Sequence, residues 1–245
     1  MKKFMTMAAA ALSVGLIAAP ASAEVISFAD FASGNEGGVQ NGSIINFSGT
    51  NIGFSSGFNL NTGPGGWGSF TNSSGSDGPF FAYFDDLSGG KPGGLGVCRE
   101  LNGAAGTVAP GAECKDAGDD SVDGDDGLNE VIAVFFSDGP FELRGLSFRD
   151  GQHNDINNSL GLVEYGINGA GIGGGSGVGG TTTFADLVAR AIAGEFAGAT
   201  SMVFGYVDTE FYIESISDVP IPGAIPLLLS GLAGLGFAAR KKKAA

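Results

Sequence analysis

The sequence predicts an all-β fold: an antiparallel β-sandwich, jelly-roll-like, with one short helix. Three observations carry that expectation. Apolar runs of four to eight residues recur along the chain, glycine-rich turn signals separate them, and several alternate apolar and polar side chains with the period of a strand. Glycine is abundant at 45 residues, yet Phe, Val, Ile and Leu are frequent enough to fill a core, unlike a disordered polar tract.

The elements follow in order. Strands are expected at 25–28, 43–47, 52–58, 79–84, 131–136, 141–148, 160–167, 201–207 and 210–216. In the sixth, Phe141, Leu143, Leu146 and Phe148 form the apolar side, and the slip at Gly145 reads as a bulge. Asn41-Gly42, Asn102-Gly103, Asp138-Gly139 and Asp150-Gly151 offer the positive φ that tight turns need. One segment departs from the strand period. Phe184, Leu187, Val188, Ala191 and Ile192 repeat with helical spacing behind Thr183, an N-cap residue, with Asp186 in the first turn.

The two ends differ from this body. Lys2 and Lys3 precede an apolar stretch through Ala19, Pro20 breaks it, and Ala21-Ser22-Ala23 presents small side chains to a signal peptidase. Residues 1–23 are therefore read as a signal peptide cleaved between Ala23 and Glu24. The ectodomain is expected at 24–218. Residues 219–245 open with Val219-Pro220-Ile221-Pro222-Gly223 and continue as an uncharged apolar run over 223–239. They close on the basic tail 240–245, which starts Arg240-Lys241-Lys242-Lys243. The run is at the lower limit for a bilayer span, and its basic flank is expected on the cytoplasmic side. The prolines mark an extended approach to the membrane.

This ending resembles the PEP-CTERM sorting signal in its proteobacterial variant beginning Val-Pro-Leu-Pro-Ala, with Ile221 for Leu and Gly223 for Ala. The resemblance implies an exosortase as partner, a transient hold in the inner membrane, and a final place at the cell surface or in an exopolysaccharide matrix. A weaker likeness covers the middle of the body. Gly93-Gly94-Leu95-Gly96-Val97-Cys98, Leu128-Asn129-Glu130-Val131-Ile132, Phe204-Gly205-Tyr206 and Phe211-Tyr212-Ile213 resemble ectodomains often joined to this tail. Those domains are jelly-roll-like sandwiches, and the likeness supports the fold class alone.

Charge narrows the partners. Six of the 12 cations lie in the terminal segments, so the body sets six against 26 acids, a charge of −20. Nucleic acid and anionic lipid are disfavoured, because both would be repelled; divalent cations are not. Cys98 and Cys114, an isolated pair in an exported chain, are expected to form a disulfide, with two free thiols as the alternative.

Within the acidic stretch, Asp119, Ser121, Asp123, Gly124 and Glu130 fall at positions 1, 3, 5, 6 and 12 of a calcium-loop pattern, and Asp125 at position 7. Oxygen ligands at that spacing can wrap Ca²⁺, the only cofactor the sequence puts forward. No helices are expected to flank the loop and Asp126 occupies a normally aliphatic position, so a solvated acidic loop is the alternative. Gly169-Ala170-Gly171-Ile172-Gly173-Gly174 spells a dinucleotide fingerprint, but the glycines run on through Gly180, and the stretch is read as a linker. His153, the single histidine, is expected exposed in a turn; no Gly-x-Ser-x-Gly elbow accompanies it as a serine triad would require. Asp85, Asp86 and Glu142 are the carboxylates considered for glycoside hydrolysis. Trp67 is considered for sugar stacking or for packing over a turn. The resulting expectation is a non-enzymatic surface or matrix protein. A carbohydrate-binding module, calcium-dependent or not, and a secreted carboxylate hydrolase stand behind it.

Overall fold

The computed structural model describes residues 24–59, 80–88, 90–116, 118, 120–124, 129–168 and 177–218. Ala21 and Ala23 of the cleavage site, the sorting motif 219–223 and the apolar run 223–239 lie outside these. So do Trp67, the glycine fingerprint 169–174, Asp119 and Asp125. Among the described residues no helix is long and apolar enough to cross a membrane.

The described chain is mostly β, with antiparallel sheets and two helices. In chain order the elements are β1 (Val25–Ser27), α1 (Phe28–Ala32), β2 (Gly37–Val39), β3 (Ile44–Phe47), β4 (Thr50–Asn59), β5 (Phe81–Ser88) and β6 (Lys91–Cys98). After them come β7 (Asn129–Phe136), β8 (Phe141–Glu142), β9 (Gly145–Arg149), β10 (Leu162–Ile167) and β11 (Val178–Thr183). The last are α2 (Phe184–Ile192), β12 (Ala197–Ala199), β13 (Ser201–Tyr206) and β14 (Tyr212–Ser217).

In the first sheet β5 lies between β2 and β6, and β14 is the hub. One edge of β14 pairs with β9; the other pairs with β6 at Ile213 and with β1 from Ser215 to Ser217. The second sheet runs β11-β10-β13-β7-β4-β3, and β8 and β12 form a separate pair. One large core takes side chains from both six-stranded sheets, including Phe84, Leu95, Phe148 and Ile213 from the first and Phe54, Ile132, Val163 and Phe204 from the second. That arrangement fits a β-sandwich.

Local chemistry explains the elements that differ from expectation. Strand β1 stops at Ser27 because the Ser27 hydroxyl caps a short helix, accepting from the Asp30 amide at 3.0 Å. Phe28 of α1 then meets Phe47, Phe54 and Phe84 at ring separations of 5.5–6.4 Å. The expected strand 141–148 is two pieces. Phe141 and Glu142 pair with β12, whereas Gly145 onward pairs with β14, so the slip at Gly145 is a change of partner. Glycines expected as linker through Gly180 include strand residues: Gly179 pairs with Gly166 and Gly180 with Tyr165 in the β10–β11 ladder.

Helix α2 forms as the spacing requires. Thr183 accepts from the Asp186 amide at 3.1 Å, and Phe184, Leu187 and Ala191 are buried; Ile192, read as part of that face, is exposed. Positive φ occurs at Gly42 and Gly139 as expected. In the turn after β9 it falls on His153, not on Gly151, and Gly103 lacks it.

Candidate functional site

The outer face of the first sheet carries a buried polar cluster, and strand alternation puts it there. On β5, Phe84 enters the core while Tyr83 and Asp85 point the other way; on β14, Ile213 enters the core and Tyr212 points out. The strand between them, β6, presents Gly94 opposite Asp85 and Gly96 opposite Tyr83. Those glycines leave a trough. A Cβ on Gly96 would lie 2.1 Å from the Asp120 carbonyl oxygen, and one on Gly94, where φ is +127°, 2.5 Å from the Ile213 carbonyl oxygen.

The excursion between β6 and β7 fills that trough. Cys98 and Cys114 form the expected disulfide, with a Cα–Cα distance of 5.9 Å, so the free-thiol alternative falls. Leu101 bridges to Cys114, and the amides of Gly106 and Gly111 donate to the Gly38 carbonyl on β2. Tyr83 ties the disulfide down: its hydroxyl donates to Glu36 at 2.8 Å and accepts from the Cys114 amide at 3.2 Å. Val122 then exchanges backbone hydrogen bonds with Phe211 at 2.8 and 3.2 Å.

His153 corrects its sequence reading. It is 2% exposed, not a surface turn residue. Nδ1 lies 2.7 Å from the Lys91 carbonyl oxygen and Nε2 lies 2.6 Å from Asp85 Oδ2. A carbonyl only accepts, so Nδ1 carries a hydrogen and a single further proton is shared between Nε2 and Asp85. Gly93 makes the approach possible, since a Cβ there would sit 2.5 Å from Asp85 Oδ2. Burial raises the Asp85 carboxyl above its ordinary range, while the His153 charge and the Tyr212 hydroxyl oppose the rise.

Tyr212 stands edge-on to the His153 ring at 5.1 Å, and its hydroxyl donates to Asp120 Oδ1 at 2.6 Å. Burial lifts the Asp120 carboxyl to about 7; the Tyr212 hydrogen bond works against that rise and the charge of Asp85 reinforces it. Burial and the two neighbouring carboxylates keep the Tyr212 hydroxyl protonated. Beside them, Arg149 forms an ion pair with Glu214, which also accepts from Ser147 Oγ at 2.6 Å.

Of the calcium-loop residues that the structure describes, three are buried and Gly124 is half-buried, so this part of the acidic stretch is not a solvated loop. Ser121, Asp123 and Glu130 all lie below the surface. Ser121 Oγ donates to Glu210 at 2.8 Å, the Asp123 amide donates to Glu130 at 3.3 Å, and Gly124 lies against the Tyr206 ring. Among the described residues no group of three or more His, Cys, Asp or Glu side chains could hold a metal ion. Of the carboxylates considered for hydrolysis, Asp85 is engaged by His153, and Glu142 lies on β8 with Arg144 at 3.6 Å.

The sequence did not draw attention to Asp120, Tyr212 or Glu164. The signal for the first two was the glycine pattern of β6, which announces that backbone must pass close over that strand. Glu164 projects on the coreward-opposite face of the second sheet and is 8% exposed; burial alone lifts its carboxyl to about 7. Comparison of the chain with protein-family models, with curated proteins and with solved structures returns no match.

Proposed function

We propose that this chain is a non-enzymatic, exported protein of the cell surface or extracellular matrix, with a jelly-roll-like β-sandwich ectodomain. A PEP-CTERM-type signal sorts it, and an exosortase processes that signal. The observation that carries the reading is the order of the C-terminal segment: Val219-Pro220-Ile221-Pro222-Gly223, a short apolar run, then four consecutive cations. The N-terminal signal pattern supports export, and the Cys98–Cys114 disulfide agrees with an oxidising compartment. The buried polar cluster has the character of a structural lock. A catalytic histidine must reach its substrate, and His153 is sealed beneath the β5–β6 hairpin. The strong negative charge of the body suits a protein that works among polysaccharides, with divalent cations as bridging ions, and does not suit one that works on nucleic acid.

The test is sorting itself. In a host that carries an exosortase, Pro220→Ala combined with Pro222→Ala is expected to leave a longer, membrane-retained species on immunoblots of fractionated cells. Release of wild type and variant at the same size and rate would overturn the assignment.

A further inference from the structure

The first residue of the expected mature chain and the last residue before the sorting motif touch. The Glu24 backbone nitrogen donates to Asp218 Oδ1 at 2.8 Å, and the Asp218 amide donates back to the Glu24 carbonyl oxygen at 3.2 Å. Strand pairing holds them in place, since Val25 lies opposite Ser217 and Ile26 opposite Ile216 in the β1–β14 ladder. The Glu24 side chain reaches across to the second sheet, where its carboxylate accepts from the Thr50 hydroxyl. Both ends of the body thus leave from one corner of the sandwich.

In the uncut chain the Glu24 nitrogen is an amide with one hydrogen and no charge. We infer that signal removal between Ala23 and Glu24 turns this contact into an ion pair, clamping the new N-terminus to Asp218 at the root of the sorting signal. The inference rests on the export reading above. Hydrolysis of the Ala23–Glu24 peptide bond by water leaves a carboxylate on Ala23 and an ammonium on Glu24. That ammonium faces the Asp218 carboxylate at hydrogen-bond distance, and a charge-assisted bond is about twice as strong as a neutral one.

The charged groups around the ammonium are mostly acidic. Just past β14 comes Asp218, and just before β1 the carboxylate of Glu24 itself. Beyond β4, Asp138 binds the Asn51 amide and side chain. Arg144, whose amide donates to the Ser217 carbonyl, carries its guanidinium 3.6 Å from Glu142. The balance favours the protonated amine, so its folded pKa lies above the ordinary value of about 7.7–8.0. A group raised on folding adds stability below its unfolded pKa and loses it as pH climbs through the folded value.

The experiment compares wild type with Asp218→Asn in two forms: the processed protein from an exporting host, and a variant whose signal cleavage is blocked at Ala23. N-terminal sequencing reads the first residue, and thermal melts are taken from pH 6 to pH 10. In the processed form, wild type is expected to melt about 2–4 °C above Asp218→Asn at pH 6–7, the shift for roughly 1 kcal/mol in a chain of this size. That extra gap closes by about pH 10 as the amine loses its proton. In the uncleaved form the gap is smaller and does not change over this range. A gap in processed protein that is flat with pH, or equal in the two forms, overturns the ion pair. A first residue other than Glu24 overturns the cleavage assignment instead, and the same melts on a chain released from a fusion to begin at Glu24 then judge the ion pair separately.

Discussion

His153 sits at φ +62° in the turn after β9, a conformation histidine adopts more readily than most side chains, and drives its ring under the β5–β6 hairpin. Its hydrogen bonds to the Lys91 carbonyl and to Asp85 account for both ring nitrogens. Removing one partner of a buried hydrogen-bonded pair leaves the other polar group unsatisfied, which typically costs about 1–3 kcal/mol. His153→Ala is therefore expected to lower the urea midpoint sharply. Asp85→Asn, which keeps a hydrogen-bonding group of the same shape, should cost less. Equal, small effects for the two variants would show that the pair contributes little. No sequence pattern marks this pairing, because Asp85 and His153 are 68 positions apart and meet only when β5, β6 and β9 are assembled.

At the scale of the element, β6 explains how an acidic excursion comes to be buried. Gly96 removes the side chain that would hold the excursion away, Gly94 lets the β14 backbone approach at Ile213, and Leu95 and Val97 on the other side fill the core. Gly96→Ala places a methyl group against the Asp120 backbone. It is expected to destabilise by about 1–3 kcal/mol through overpacking and to speed hydrogen exchange at the Val122 amide, which otherwise bonds to Phe211. Protection of Val122 unchanged from wild type would mean that the excursion does not depend on this trough. Reducing Cys98–Cys114 acts on the other end of the same excursion. A loop of this length is worth about 3 kcal/mol in the chain-entropy model, so a comparable loss is expected in reductant.

For the whole molecule, burial of carboxyl groups sets how stability follows pH. Asp120 and Glu164 both reach about 7 in the folded chain, above the range of about 3.9–4.3 for free side chains. A folded acid with a raised pKa holds its proton where the unfolded chain has lost it, so stability falls as pH rises from about 4 towards 7 and levels off above that. The protein is expected to melt at a higher temperature at pH 5 than at pH 8, and Glu164→Gln should flatten part of that slope. Asp120 lies in the excursion packed over β6 of the first sheet and Glu164 on β10 of the second, so their contributions should add. A melting temperature that rises between pH 5 and pH 8 would contradict the burial of these acids as charged-state penalties.

What the sequence determined alone is what depends on local order. Alternation and turn residues specified most strands, and Thr183 with the apolar spacing behind it specified α2. An isolated pair of cysteines, in a chain read as exported, led to their pairing, and the two terminal segments led to the export and sorting proposal, because each of these signals is legible in the sequence itself. Tertiary structure decided the rest. It divided 141–148 between two partners, recruited Gly179 and Gly180 into a strand, and buried His153. It also laid Ser121 and Asp123 against a sheet, and brought Glu24 beside Asp218. In each of these cases the energy comes from groups far apart in the chain: a ladder edge, a trough lined by glycine, a carboxylate at the opposite end of the body. Desolvation and pairing of such groups depend on which surfaces the fold closes together, and a one-dimensional pattern does not contain that choice.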